Sequence, residues 1–318
     1  MLCSALKSAR GYVPETGRLK TIVTNRVIPA TPNVQHLEYS FDTLGNLTRR
    51  EDLLGERREL FGYDMQGGGF KNRLTSTALY DTAPATPVLL ESASFGYDKL
   101  GNLTSKPVNG NLNYYTYGAG TAGPHAVTTA GGKTLTYDLN GNLLSGWNFA
   151  TGNPRSIEWT SYNKPNEIAE SGTTLEFSYG AGRDRFKQEN TSGGVLTTTY
   201  YIGNLYEKVT SGSGAGTLIR HVHYIYAGSE RVAIYEVPAG GEPLVVGTPT
   251  VRYLLTDHLG SVTEVMSAGG GLLESLSYDA WGKRRPKEWD AEGSPPEFPT
   301  YRVRNKPIQP DTSWVNRY

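Results

Sequence analysis

A short motif recurs along this chain and limits what it can fold into. The motif reads aromatic residue, Asp, two variable residues, Gly, Asn and Leu. Full copies occupy residues 41–47, 97–103 and 137–143, and weaker copies begin at Tyr12, Tyr63, Tyr162, Tyr179 and Tyr278. A period of about 20 residues is the length of one supersecondary unit, so the chain is predicted to repeat one such unit many times.

The chemistry of the motif predicts a β-hairpin. Leu37, Tyr39 and Phe41 alternate with other residues before the Asp, and a period of two is typical of a strand. The Asp carboxylate can accept backbone N–H groups and open a turn, in which the Gly supplies a positive φ. The Leu then starts the return strand, which gives a hairpin with a type I turn and a glycine bulge. The predicted turn residues are Asp42, Gly45, Asn46, Asp98, Gly101, Asn102, Asp138, Gly141 and Asn142.

The repeated aromatic residues are interpreted as scaffold. Each ring is expected to cover a hairpin face, with a tyrosine hydroxyl reaching solvent or a turn carbonyl. The alternative is a platform on which sugars stack, and that function needs exposed rings. The predicted structural aromatics are Tyr39, Phe41, Tyr63, Tyr97, Tyr137, Tyr179, Tyr201, Tyr253, Tyr278 and Trp281.

Composition excludes several classes of protein. The 31 basic residues balance the 31 acidic ones, which argues against nucleic-acid binding. A single cysteine, Cys3, rules out a disulfide framework and a cysteine-based zinc site. The sequence contains neither an apolar run of about 20 residues for a membrane helix nor an apolar N-terminal signal peptide. No cofactor and no metal is predicted.

A second set of motifs resembles a known family. Residues 199–207 read TYYIGNLYE, residues 253–262 read YLLTDHLGSV, and residues 278–282 read YDAWG. In that order, after the aromatic-Asp repeats, they are similar to the core region of RHS (rearrangement hotspot) proteins, whose YD repeats are also found in teneurins and toxin-complex C subunits. The core motif residues are Asp257, His258, Gly260 and Ser261.

The resemblance implies an all-β chain whose consecutive antiparallel β-hairpins form a curved, open strip of a hollow β-shell. It implies three segments: YD-repeat hairpins at 1–197, the RHS core at 198–285 and a mobile Pro-rich connector at 286–318. The expected partners are the rest of the shell and a C-terminal toxin domain. The chain is interpreted as truncated before the terminal self-cleaving motif, and its open sheet edges are expected to self-associate.

Other clusters favour structural roles over chemistry. Asp257, His258 and Ser261 suggest a hydrolase triad, but neighbouring strand residues point to opposite faces, so a turn is the preferred interpretation. His221 and His223 share one strand face and could bind a metal only with further ligands. The basic run at 283–287 is predicted to be a solvated linker, with a phosphate site or protease site as alternatives.

The sequence therefore predicts a non-enzymatic part of a shell that stores and delivers a toxin, between bacteria or into a host. As part of a larger exported protein, it would be secreted or lie in the cell envelope. A surface module that binds cell-surface carbohydrate or acts in adhesion is one alternative, and a non-functional gene fragment is another.

Overall fold

The computed structural model describes residues 6–27, 34–64, 72–108, 111–148, 151–212, 217–239 and 249–285. Within these ranges the secondary structure consists of strands and turns, without a helix, as the alternating pattern predicts. The predicted connector at 286–318 lies outside the described residues, and so does Cys3.

The described strands fall into three hydrogen-bonded series, and neighbours in each series follow chain order. The first series is β1 (Leu6–Tyr12), β2 (Leu19–Arg26), β3 (Gln35–Phe41), β4 (Leu47–Asp52), β5 (Arg57–Tyr63), β6 (Leu74–Asp81) and β7 (Val88–Ser94). The second series is β8 (Gly96–Tyr97), β9 (Leu103–Val108), β10 (Asn111–Tyr117), β11 (Val127–Ala130) and β12 (Lys133–Thr134).

The third series is the longest. Its strands are β13 (Thr136–Tyr137), β14 (Leu143–Trp147), β15 (Pro154–Trp159), β16 (Pro165–Glu170), β17 (Thr173–Tyr179), β18 (Arg185–Ser192), β19 (Val195–Ile202), β20 (Tyr206–Ser211), β21 (Thr217–Ala227), β22 (Glu230–Pro238), β23 (Thr250–Thr256), β24 (Val262–Ser267) and β25 (Leu272–Ser275). The fold-class prediction is confirmed: the chain is all-β and is built from consecutive antiparallel hairpins.

The antiparallel register carries the same irregularity in hairpin after hairpin. A one-residue shift falls at the motif aromatic, directly before the turn, at Phe41, Tyr63, Tyr97, Tyr137, Trp159 and Tyr179. Such a shift is the mark of a β-bulge, which increases local twist and redirects the side chain. The aromatic ring is therefore placed in an equivalent position in every unit.

Contacts in space divide the chain into two compact units. Unit 1 comprises Met1–Tyr115 and Leu255–Pro295, and unit 2 comprises Thr116–Leu254 and Pro296–Tyr318. The predicted segments at 1–197, 198–285 and 286–318 follow motifs instead, and they stay predictions.

Each unit has its own apolar cluster on one sheet face. In unit 1, Ile22, Leu37 and Tyr39 are buried from neighbouring strands β2 and β3. In unit 2 the buried cluster is Ile157, Ile168, Leu175 and Phe177, with Trp159 and Tyr179 packed against it. Alternate residues supply these clusters because successive side chains of a strand point to opposite faces.

Candidate functional site

The motif turns share one hydrogen-bonded geometry. Asp98 Oδ1 accepts the backbone N–H groups of Leu100 and Asn102, both at 2.8 Å, and Oδ2 accepts the side-chain amide of Asn102, also at 2.8 Å. Gly101 has a φ of 89°, and its N–H donates to the carbonyl of Asp98. A residue with a Cβ is strained at that angle, which explains the glycine.

The other two full copies repeat these bonds. Asp42 binds Leu44 and Asn46, and Asp138 binds Asn140 and Asn142, at 2.8–2.9 Å. Gly45 and Gly141 also have positive φ angles, of 94° and 82°. The Asn side-chain amides hold the pKa of Asp42 and of Asp138 below its usual value, and backbone N–H groups add to this effect.

The core motif builds the same turn from other residues. Asp257 Oδ1 accepts the N–H groups of Leu259 and Ser261, both at 2.8 Å, and Gly260 has a φ of 78°. The Ser261 carbonyl accepts the N–H of Asp257 at 2.9 Å. One oxygen of Asp257 is thus engaged by the backbone of its own turn, while the other lies 3.7 Å from Arg50 Nη1.

One weaker copy has a different register from the predicted one. The sequence predicts a motif copy that begins with the aromatic residue Tyr162. In the structure, the turn there runs from Thr160 to Lys164, with Asn163 at a φ of 59°. Trp159 therefore takes the aromatic position. The prediction was wrong because Thr160 stands at the Asp position and Asn163 at the Gly position, so this turn does not match the motif sequence.

The aromatic side chains join each hairpin to the preceding one. Tyr63 donates its hydroxyl hydrogen to the carbonyl of Leu47 at 2.9 Å, and Tyr97 donates to Leu74 at 2.8 Å. In unit 2, Trp159 Nε1 donates to Leu143 at 2.8 Å and Tyr179 donates to Pro165 at 2.7 Å. Each acceptor is the residue at the Leu position of the preceding motif copy. We call this series the hydroxyl ladder, although Trp159 contributes an indole N–H.

The remaining predicted aromatics occupy related positions. Tyr137 donates to Val127 at 2.8 Å, and Tyr201 donates to the Gln188 side chain at 3.3 Å. Trp281 meets the ring of Phe95 edge-on, with centroids 5.3 Å apart. None of the ten predicted structural rings is exposed: Tyr39, Tyr201 and Tyr278 are buried, and Phe41, Tyr63, Tyr97, Tyr137, Tyr179, Tyr253 and Trp281 are half-buried.

A contact that the sequence did not predict lies within unit 1. It joins β2–β5 to residues 256–285, and we call it the seam. The Gln35 side-chain amide donates to the Thr256 carbonyl at 3.1 Å and to Thr263 Oγ1 at 2.7 Å. The ring of Tyr39 lies 4.6 Å from that of His258. The backbone N–H of His258 donates to the Tyr39 hydroxyl oxygen at 3.3 Å.

Arginine side chains complete the seam. Arg50 forms an ion pair with Glu59 and donates to the Tyr278 carbonyl at 2.7 Å. Arg285 pairs with Glu59 at 2.7 Å and with Glu91 at 3.1 Å. Residues 256–285 are therefore bonded to strands more than 190 residues earlier in the chain.

The seam corrects one sequence prediction. The basic run at 283–287 was expected to be a solvated linker, but the Arg285 side chain is only 7% exposed and is paired with Glu59. Arg284 pairs with Glu274. These partners could not be predicted from the run of basic residues, because Glu59 and Glu91 are distant from it in sequence. Residues 286 and 287 lie outside the described residues.

The seam borders a cavity of about 560 Å³. Leu37, Leu54, Leu79 and Leu276 form its apolar wall, and Asp52, Asp257 and Glu264 are among its acidic lining residues. Burial raises the pKa of Glu264 to about 8, and the nearby carboxylates of Asp52 and Asp257 act in the same direction. Burial also raises the pKa of Asp52 and lowers that of His258.

The two histidines of β21 do not gather a metal-ligand set. His221 Nδ1 is hydrogen-bonded to the Tyr206 hydroxyl at 2.5 Å, and the Tyr206 ring lies 5.0 Å from that of His223. Glu207 lies opposite Val222 in the register of β20 and β21, so its side chain is on the other sheet face, where it is buried. In the described part of the chain, no group of three or more His, Cys, Asp or Glu could hold a metal ion.

No helix in the described ranges has the length and apolar character needed to cross a membrane.

No protein-family model matches this sequence, and no curated protein does. Solved structures do match it. The Photorhabdus luminescens Tc holotoxin pore with mutant TccC3 superposes with a TM-score of 0.66 at 15% identity, covering 88% of this chain. TcdB2-TccC3 without its hypervariable C-terminal region superposes with a TM-score of 0.62 at 14% identity, covering 91%.

The chain has the YD-repeat shell fold. The sequence-based recognition of that fold is confirmed by these superpositions, which extend over nearly the whole chain. At 14–15% identity the likeness concerns the fold alone. The chain spans about one seventh of the matched structures' own length, at 14–15% of those chains.

Proposed function

We propose that this chain is a wall segment of a hollow shell that encloses a toxin polypeptide and takes part in its storage and delivery. The observation that carries the proposal is the hydroxyl ladder. In this ladder the repeated aromatic residues bond consecutive hairpins to each other. The chain that contains it has a fold shared with Tc toxin structures. A wall of this kind can grow by adding hairpins, because each unit bonds mainly to its neighbours.

The role is proposed to be structural and non-enzymatic. Asp257 serves its own turn and faces Arg50, so it does not orient His258 as a triad carboxylate would. Incubation with ester, phosphoester and glycoside substrates is expected to give no turnover above that of heat-unfolded protein. Turnover that disappears in His258→Gln would contradict this part of the proposal.

The enclosing role is tested on the full-length gene product that contains these residues. Limited proteolysis followed by mass spectrometry is expected to leave one stretch outside residues 6–285 uncut while the wall is folded. Denaturation of the wall should expose that stretch to cleavage. Equal cleavage of every stretch outside this chain before denaturation would overturn the enclosing role. Export, whether towards other bacteria or a host, belongs to the same proposal.

A second candidate is a surface module that binds carbohydrate or mediates adhesion. The motif rings do not favour it, but another face of unit 2 does. Tyr206, His223 and Tyr235 lie opposite one another on β20–β22, and His223 is exposed. Tyr200 and Ile202 on β19 are 37% and 65% exposed. Glycan-array binding that is lost in Tyr200→Ala would favour this candidate, and an array without binding would exclude it for the glycans tested.

A further inference from the structure

Glu264 occupies a place in the seam that the wall function does not require. It lies on β24 and is only 6% exposed. Its Oε2 atom accepts the hydroxyl hydrogen of Thr263 at 2.5 Å, and the same hydroxyl accepts the Gln35 amide at 2.7 Å. Gln35 in turn accepts the hydroxyl hydrogen of Thr24 at 3.0 Å. One hydrogen-bonded chain therefore runs from β2 through β3 to the carboxyl group of Glu264. The bonds donated by Thr263 and Gln35 lower the pKa of Glu264, but burial raises it by more.

The charges that face Glu264 oppose its ionisation. Asp52 at the end of β4 and Asp257 in the turn before β24 both act on it as negative charges. Among the described residues, Glu264 has no basic partner within ion-pair distance. The basic residues that line the same cavity are Arg26, Arg50, Arg57 and Arg285.

Three of those arginines are engaged by other carboxylates. Arg50 binds Glu59 and lies 3.7 Å from Asp257, and Arg57 pairs with Asp81 at 3.0 Å. Arg285 pairs with two further carboxylates of the seam and its margin, Glu59 and Glu91. The fourth, Arg26, has a buried Nε without a hydrogen-bond partner among the described residues, but it forms no ion pair with Glu264. An ionised Glu264 would thus be an uncompensated charge in a buried site, which is costly.

We propose that Glu264 is the proton-operated element of a latch, which holds β2–β4 against residues 256–267 when its carboxyl group is protonated and loosens when that proton is lost. Loosening of the seam would open the cavity beside it. The latch would make the closed state of unit 1 depend on pH.

The direction of the pH dependence follows from the number of protons bound in the closed and open states. The closed state holds the proton up to about pH 8, whereas an open, solvated glutamate loses it near pH 4.5. Between those values the closed state binds more protons, so raising the pH favours opening by about tenfold per pH unit. Above about pH 8 both states are ionised and the dependence ends.

His258 limits the useful range on the acid side. Burial lowers its pKa, so the closed state holds it neutral while an open histidine is protonated below about pH 6.5. Its contribution therefore opposes that of Glu264 in acid. Between pH 6.5 and 7.5 the glutamate dominates, and the remaining histidine contribution reduces its effect by about twofold.

Hydrogen-exchange mass spectrometry of the whole chain tests the latch. Protection factors, corrected for the intrinsic pH dependence of exchange, are measured for peptides from β3 and β24. They are expected to fall about fourfold between pH 6.5 and 7.5 and to level off above about pH 8. Peptides from β16 and β17 in unit 2 serve as the internal reference.

Two variants and a control test whether Glu264 causes the fall in protection. Glu264→Gln should abolish the fall in protection, and Glu176→Gln, at an exposed strand position, should retain it. Asp52→Asn removes a charge that opposes ionisation, so its plateau should begin at a lower pH. If Glu264→Gln does not fold, the wild-type profile and the shift in Asp52→Asn still decide the matter. Protection that is independent of pH in the wild type, or an unchanged fall in Glu264→Gln, overturns the proposal.

Discussion

The hydroxyl of Tyr97 donates a hydrogen bond to the carbonyl oxygen of Leu74, 2.8 Å away, and so joins two consecutive hairpins of unit 1. The same bond connects Tyr63 to Leu47. A side chain that occurs once in each repeat therefore supplies a bond between repeats. This relationship explains why tyrosine, rather than phenylalanine, occupies most motif positions.

Removing that hydroxyl should weaken the hairpin junction. Tyr97→Phe keeps the ring and leaves the Leu74 carbonyl without its donor, so we expect a loss of about 1 kcal/mol in the free energy of unfolding. Chemical denaturation monitored by circular dichroism measures it. The control is Tyr114→Phe, at a side chain that is 65% exposed, where no comparable loss is expected. Equal stability of the two variants would contradict the role of the hydroxyl ladder.

The turn glycines should resist substitution for a conformational reason. Gly101→Val places a β-branched residue at a φ of 89°, where a Cβ meets no neighbouring atom, so strain is the whole effect. We expect a destabilisation of about 1–3 kcal/mol and a lower melting temperature. Gly123 also has open space around it but no positive φ, so Gly123→Val is the matched control. A variant Gly101→Val that melts like the control refutes the turn assignment.

Arg285 should be among the most sensitive charged positions of unit 1. Arg285→Met leaves Glu59, which is 2% exposed, with one fewer cation, and we expect a loss of about 3 kcal/mol in the free energy of unfolding. Lys20→Met, at an exposed position of β2, provides the comparison.

A double variant separates charge from packing at this pair. Adding Glu59→Gln to Arg285→Met removes the buried charge, so part of the lost stability should return. If the double variant is as unstable as the sum of both single changes, the ion pair is not the cause of the loss.

Unit 2 contains its own buried acid, Glu207. Burial raises its pKa, and a hydrogen bond with Tyr224 together with the charge of Arg231 offsets only part of that effect. The folded state therefore binds a proton that an unfolded glutamate releases, and this contribution to stability is lost as pH rises from about 4.5 through the folded pKa. Glu207→Gln should flatten this dependence and raise the melting temperature at pH 8. Melting curves of Glu207→Gln and Glu176→Gln across this pH range test the expectation, which fails if their slopes agree.

The local structure could be predicted from sequence because its causes are local. The Asp98 carboxylate, the positive φ of Gly101 and the strand alternation before them all act within about ten residues. Trp159 and its turn escaped prediction because Thr160 and Asn163 replace the usual letters while keeping the geometry.

The seam could not be predicted, for a different physical reason. Gln35 and Thr263 are 228 residues apart, and neither belongs to a sequence motif from which its partner could be predicted. The raised pKa of Glu264 depends on burial and on carboxylates from other segments, so it becomes visible only after folding. Arg285 was misassigned for the same reason.

We have proposed that this chain forms a wall around another polypeptide. A cryo-electron microscopy map of the full-length gene product that contains these residues tests it most directly. We expect residues 6–285 to form part of a continuous wall one sheet thick, with density for a further stretch of polypeptide on its inner side. Strands packed on both faces into a solid domain, with no enclosed space, would contradict it.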